Sequence, residues 1–446
     1  MRFKHVVNLI LNIVSTCLII GSLANLDYAG MNRYVLLTFI INGLFCLAGS
    51  MFSKQFIDVH RMVYIFGLFF FFIAPLMQYS SGEVFWTNWG LNVSYSSNDY
   101  LLANISIFAF LCFFEVSYRL SIRTIHKTSD GNLKPFVISE TARTTLIVVC
   151  FLCVITVLLN GQLFGFQDPA QTQKFFGQIL LAMRYVPVAS LLFYIFARQK
   201  GIISGKSTSF LITLIFFNSL LFFPFSGSTT RFVLFGVYIS IWTALEVRSK
   251  LKSIVLLAFV LGFMYVFSAF NVFKGGTFAD FHLVSSEAFL TVDFDAYQML
   301  MATMKYVKEF GTTHGMNVIS ALLCFVPRSI FSFRLEPTSE IVVKALGSKF
   351  YNVSLPLNAE MMVAFGYSGL VGLSIILGNI VRRIDSFAHS SKAFQRVFFC
   401  TISGLTIFIM RGSFLAACSY TFALLSAVAG VYGIITLLSK YRSQSR

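Results

Sequence analysis

Long apolar runs separated by short polar punctuation recur from one end of this chain to the other. A helix of about 17–25 apolar residues crosses roughly 30 Å of hydrocarbon. Runs of that order occur at 6–24, 34–52, 62–79, 100–118, 144–162, 179–197, 208–225, 231–247, 253–272, 359–380, 397–410 and 414–437. Inside a bilayer every backbone N–H and C=O needs a partner within the segment, so the runs read as helices rather than isolated strands. The pattern predicts an all-α polytopic integral membrane protein of about twelve transmembrane helices.

The spacing between runs is uneven. Most loops are short, but 273–358 is a single long segment between the ninth and tenth runs, dividing the chain into 1–272 (helices one to nine), 273–358 (the loop) and 359–446 (helices ten to twelve and a short tail). The loop carries its own patterns. "SSEAFLTVDFDAYQMLMATMKYVKEFG" opens with Ser285 and Ser286 as candidate N-caps and has acids first, bases last and Gly311 as a stop. Phe289, Val292, Ala296, Leu300, Thr303, Val307 and Phe310 fall on one helical face, which predicts a helix lying against the bundle or the lipid surface. "NVISALLCFVP" is too short to span and ends at Pro327, so it reads as a re-entrant or interfacial piece, and a further short helix starts at Thr338.

Composition agrees with a membrane class: mean hydropathy is +0.78, with 57% hydrophobic and 12% charged residues. A net charge of +16 would point to nucleic acid in a soluble chain. Here the basic residues cluster in alternate loops, including Arg2 and Lys4, Arg119 to Arg143, Arg198 to Lys206, Arg248 to Lys252, Arg382 to Arg396 and Lys440 to Arg446. The short intervening loops hold far fewer, namely Arg33, Lys174, Arg231 and Arg411. By the positive-inside rule both termini are cytoplasmic and 273–358 faces outward. The first run reads as an uncleaved span rather than a signal peptide. Cys150 and Cys153 have redox-motif spacing but lie in an apolar run, where a thiolate is disfavoured, so they read as packing.

Candidate chemistry gathers at the outward helix ends. "SGSTTR" places Gly227, Ser228, Thr229 and Thr230 before Arg231, which heads a helix descending into the membrane. Unpaired N–H groups, hydroxyls and a guanidinium together suit a phosphate. The plainer reading is a capped helix whose arginine snorkels to lipid headgroups. The device recurs as Arg411, Gly412 and Ser413 before the last span, and the loop adds Arg328 after Pro327 with Arg334 further on. Several arginines on one face would suit a diphosphate. Arg184 lies inside the sixth span, where a charge is costly and reads as functional, with a structural ion pair as the alternative. Glu115 and Glu246 lie near inner helix ends and read as solvated. The sequence has no P-loop and its six histidines have no paired ligand spacing, so neither nucleotide nor metal is expected. Asp293 and Asp295 are the one candidate pair for a divalent ion and read more simply as acids favouring a helix start.

These residues resemble the Wzy-type O-antigen polymerases of bacterial surface polysaccharide synthesis. The likeness rests on the "GSTTR" turn, on "VPRSIF" in a large outer loop, on "NAEMMVAFGYSGLVG" at 358–372 as a Glu-x-x-x-x-Phe-Gly-x-x-Gly start of a span, and on the count of about twelve spans. The resemblance implies a glycosyltransferase at the periplasmic face of the bacterial inner membrane. It would move a growing glycan from undecaprenyl diphosphate onto the next lipid-linked repeat unit, without metal or nucleotide. It implies undecaprenyl-diphosphate-linked oligosaccharide, membrane lipids and a chain-length regulator protein as partners, with no nucleic acid. On this reading Arg231, Arg328, Arg411, Arg184, Ser228 and Thr229 bind the diphosphate, and Glu360 or His314 takes the acceptor proton, with Glu360 preferred for its helix-start position. An O-antigen ligase using His314, or a lipid-linked oligosaccharide flippase, are the competing expectations.

Overall fold

Ten of the twelve predicted runs fall largely on residues that the computed structural model describes, namely 32–51, 57–81, 94–121, 136–159, 175–200, 208–222, 231–245, 289–290, 292–326 and 330–444. Each of the ten is helical, while the runs at 6–24 and 253–272 lie outside the described residues. The helices are α1 (Arg33–Met51), α2 (Val59–Ser80), α3 (Ser97–Leu120), α4 (Glu140–Leu159), α5 (Phe175–Gln199), α6 (Thr208–Leu221) and α7 (Arg231–Leu245). The long loop then supplies α8 (Ala296–Phe310), α9 (Met316–Leu322) and α10 (Thr338–Ala345), and the chain closes with α11 (Leu357–Ser386), α12 (Ala393–Arg411) and α13 (Phe414–Gln444). Among the described residues eight helices are long and apolar enough to cross a membrane, with α6 and α7 shorter apolar ones. This is the build of an all-helical, membrane-embedded protein.

The most extensive pairings are α7 with α12, α3 with α11 and α5 with α13. Without a hydrophobic drive between helices in lipid, close association needs small residues at the crossing. Gly404 supplies one: a Cβ there would stand 2.2 Å from the Gly236 carbonyl oxygen and 2.1 Å from Ser240 Oγ. The Phe232–Arg411 and Ser240–Thr401 contacts make α7 and α12 antiparallel. α2 is the most enclosed of the long helices, with 89% of its apolar window buried, and so serves as the central helix among the described residues. A π-helical turn at Phe69–Ile73 interrupts it, and all four phenylalanines of that turn are buried.

The loop segment packs on one end of this bundle. Gln78 near the end of α2 donates to the carbonyls of Phe289 and Phe294 at 2.9 and 3.2 Å. Tyr297 donates to Asn104 Oδ1 of α3 at 2.9 Å, and Lys305 Nζ donates to the Ser94 carbonyl. α8 stops at Gly311 as the pattern predicts, and Ser285 and Ser286 lie outside the described residues. Its surroundings differ from an amphipathic surface helix. Every residue from Ala296 to Thr303 is buried, while Phe310 of the expected apolar face is exposed, because the first half is enclosed by α11, α10 and α3. Helices α9 and α10 fall where a short interfacial piece and a Thr338 start were expected.

Two expectations are corrected. The tenth run is not one continuous helix from its start, because Gly366 adopts φ 66° and ψ −153° and bends the chain between a short arm, 357–365, and the long helix that follows. Glycine alone tolerates that backbone without strain. Glu115 is half-buried and partnered rather than simply solvated: it accepts from His60 Nε2 and Tyr64 Oη at 2.7 Å each and from Arg119 Nε at 2.5 Å.

The glycine crossing gives a direct check. Gly404→Ala is expected to destabilise the purified protein by roughly 1–3 kcal/mol, the usual effect of overpacking against backbone. Gly430→Ala, whose Cβ would enter open space, should leave the thermal midpoint unchanged or raised.

Candidate functional site

The end of the bundle covered by the loop holds the residues that the sequence singled out. α12 finishes at Arg411 and α13 begins at Phe414, joined by Gly412 and Ser413. Because α7 runs antiparallel to α12, its first residue, Arg231, stands at the same end, and the ring of Phe232 lies 4.4 Å from Arg411 Cζ. The Arg231 side chain, Ser228, Thr229 and Arg328 lie outside the described residues.

Arg411 is held from several directions. Its Nε donates to the Asp293 carbonyl at 2.9 Å and its Nη2 to Asp295 Oδ1 at 3.3 Å, with the guanidinium over Phe232 as a cation–π contact. Phe232 packs near Phe70, 5.8 Å between centroids, and Phe70 stacks on Phe294 at 5.3 Å. Phe70 of the π-helical turn therefore backs the Phe232 ring on which Arg411 lies.

Asp295 stands at the start of α8 but makes no capping hydrogen bond there. Its carboxylate turns instead to Arg411 and to Ser354, whose N–H donates to Oδ2 at 2.8 Å and whose hydroxyl donates to Oδ1. The expected simple helix-start role is thus replaced by a tertiary one. Burial pushes the Asp295 carboxyl above its ordinary range, while the Arg411 guanidinium and the Ser354 donors pull it back down.

Glu360 lies on the short arm of α11 and is fully buried. Its Oε1 accepts the Phe414 N–H at 2.7 Å, its Oε2 accepts Asn317 Nδ2 at 3.2 Å, and the Thr338 hydroxyl also donates to it. It caps the first turn of α13 from a distance and joins α9 and α10 to that helix. A carboxylate so enclosed holds the start of α13, α9 and α10 together.

His314 lies at the far end of the same arm in a different setting. The "GTTHG" turn docks on the last carbonyls of the arm, with Thr313 N–H donating to Val363 O at 2.9 Å and Gly315 N–H to Ala364 O at 3.2 Å. His314 takes φ 52° at this turn, and its ring is exposed, with Nδ1 3.5 Å from Thr312 Oγ1.

Arg184 is inside the bundle at 1% exposure. Its Nη2 and Nε donate to the Leu221 carbonyl at 2.8 and 3.3 Å, and its guanidinium lies 5.2 Å from the Phe222 ring. It meets the negative end of α6. Arg334 donates to the Cys324 carbonyl at 2.9 Å and braces the chain before the 327–329 segment. Among the described residues no group of three histidine, cysteine or acidic side chains could hold a metal ion.

Sequence reasoning missed Gln78, which ties the loop to α2, Asn317, which ties α9 to the Glu360 arm, and Ser354, which joins two parts of the loop. Only Gln78 carried a signal, as a lone amide in an apolar run. No protein-family model, curated protein or solved structure matches this chain.

Glu360→Gln is expected to destabilise the protein by about 1–3 kcal/mol, because an amide cannot accept from all three donors and leaves a buried N–H unmet. Thermal unfolding in detergent checks this; an unchanged midpoint would remove Glu360 from its structural role.

Proposed function

We propose that this protein is a membrane glycosyltransferase of the O-antigen polymerase kind. It moves a glycan from undecaprenyl diphosphate onto the next lipid-linked repeat unit at the periplasmic face of the bacterial inner membrane. The observation that carries the reading is the convergence at one end of the bundle of Arg411, the Arg231 start of α7 and the His314 turn, all beneath or within a folded loop. The proposed orientation has twelve spans, both termini in the cytoplasm and 273–358 in the periplasm. Its support is that Arg61, Arg119, Arg382, Arg383 and Arg396 stand at the opposite end of their helices from the Arg411 end.

In the transfer, the acceptor hydroxyl oxygen bonds to the anomeric carbon of the donor sugar as the bond from that carbon to the diphosphate oxygen breaks. Negative charge grows on the departing diphosphate, and Arg411 and Arg231, with Arg328 from the loop, stabilise it by charge-assisted hydrogen bonds. The chemistry proceeds without metal or nucleotide. The hydroxyl proton passes to a base, and accessibility moves that role from Glu360 to His314. Arg184 serves the packing that supports the site. A chain-length regulator in the same membrane is the proposed protein partner.

A second reading, O-antigen ligase, is favoured by the exposed His314 on the loop, and the two differ in their product. Arg411→Ala is expected to lower turnover by roughly 10²–10³-fold at unchanged protein level, with Lys restoring little because it lacks the fork. His314→Ala should lose polymer similarly. On a lipopolysaccharide gel, a polymerase defect leaves a single repeat on the lipid A core, and a ligase defect leaves none. Wild-type chain lengths in both alanine variants would overturn the proposal.

A further inference from the structure

We infer that Asp295 is a positioning residue, whose buried carboxylate orients the Arg411 guanidinium toward the departing diphosphate. The inference rests on the diphosphate reading above and adds to it the group that makes Arg411 effective.

An arginine at the end of a helix carries a long flexible side chain, and a charge-assisted contact stabilises a transition state best when the donor is already aimed. Among the described residues, Arg411 meets this condition through restraints on its plane and on its edge. Phe232 lies under the guanidinium plane, the Asp293 carbonyl holds Nε, and Asp295 Oδ1 holds Nη2. The Asp293 carbonyl and Phe232 fix the stem and the plane. The carboxylate fixes the rotation within that plane and balances the charge of a guanidinium whose side chain is only 12% exposed.

Asp295 is itself fixed, with no exposed side chain and both oxygens accepting from Ser354. Ser354 belongs to the extended segment leading into the Glu360 arm, so the orientation of Arg411 is set by two parts of the loop that are 59 positions apart. A tie that served only to hold the loop would need neither a charged partner at Arg411 nor its alignment with one guanidinium edge.

The test uses purified full-length protein in nanodiscs, with undecaprenyl diphosphate as the binding probe and lipid-linked repeats for turnover. Arg411→Ala should weaken binding of the probe by about tenfold or more, since it removes the bidentate donor. Asp295→Asn keeps the shape and removes the charge. It should bind the probe as tightly as wild type or more tightly, while kcat falls about tenfold or more through misorientation. The double variant should be no slower than Arg411→Ala alone, because Asp295 acts through Arg411. If Asp295→Asn is not monodisperse, Ser354→Ala leaves both charges in place and is expected to lower kcat severalfold with unchanged probe binding. Wild-type kcat in whichever of these two variants is folded, or losses that multiply in the double variant, would overturn the inference. Should Arg411→Ala bind the probe as wild type does, the diphosphate reading itself fails and the inference falls with it. Should Arg411→Ala lose the probe while Asp295→Asn turns over normally, the diphosphate reading stands and Asp295 is a loop tie alone.

Discussion

The buried carboxylate of Glu360 joins pieces of chain that are far apart in sequence, and the geometry of the loop-covered end depends on it. One oxygen meets the first N–H of α13, the other meets Asn317 of α9, and Thr338 of α10 also donates to the group. In apolar surroundings an unmet carboxylate is expensive, so these partners hold one another in place. The start of α13 fixes the Gly412–Ser413 turn, and that turn sets where Arg411 leaves α12.

The same device occurs at the other end of α11. Asp385 accepts the N–H groups of Val59 and His60 at 2.9 and 3.3 Å, together with the Tyr118 hydroxyl at 3.1 Å, and so caps the first turn of α2. A helix that begins inside a membrane protein has orphan N–H groups that lipid cannot satisfy. Here a neighbouring helix supplies the acceptor at both ends. α11 therefore links the central helix α2 to the last helix α13, with the bend at Gly366 letting its short arm lie within the loop region while the long part packs on α3.

On this frame the loop serves to present side chains. Gln78, Tyr297 and Lys305 fasten α8 and the turn before it to α2 and to α3 with its leading segment, and Phe232, backed by Phe70, lies against Arg411. The result is an end of the bundle where a guanidinium is buried enough for its field to be strong and a histidine on the adjoining turn stays open to solvent. The proposed group transfer from a diphosphate relies on that contrast between an enclosed arginine and an accessible histidine.

The apolar runs and stop signals determined where the described helices lie, down to the short α9 and α10 and the stop of α8 at Gly311, because backbone pairing within a helix is a local matter. Sequence also placed Arg231 and Arg411 at helix ends, since a guanidinium interrupts an apolar run visibly. What the carboxylates do was decided only by the tertiary structure. Glu360 at a helix start looked like an accessible base, Asp295 like a dipole partner and Glu115 like a solvated surface acid, yet each is held by specific donors. A carboxylate's role depends on which N–H and hydroxyl groups other parts of the chain bring to it, and those groups stand tens to hundreds of positions away. Periodicity reports which face of a helix is apolar, whereas burial of a single charge is set by the long-range packing that closes over it.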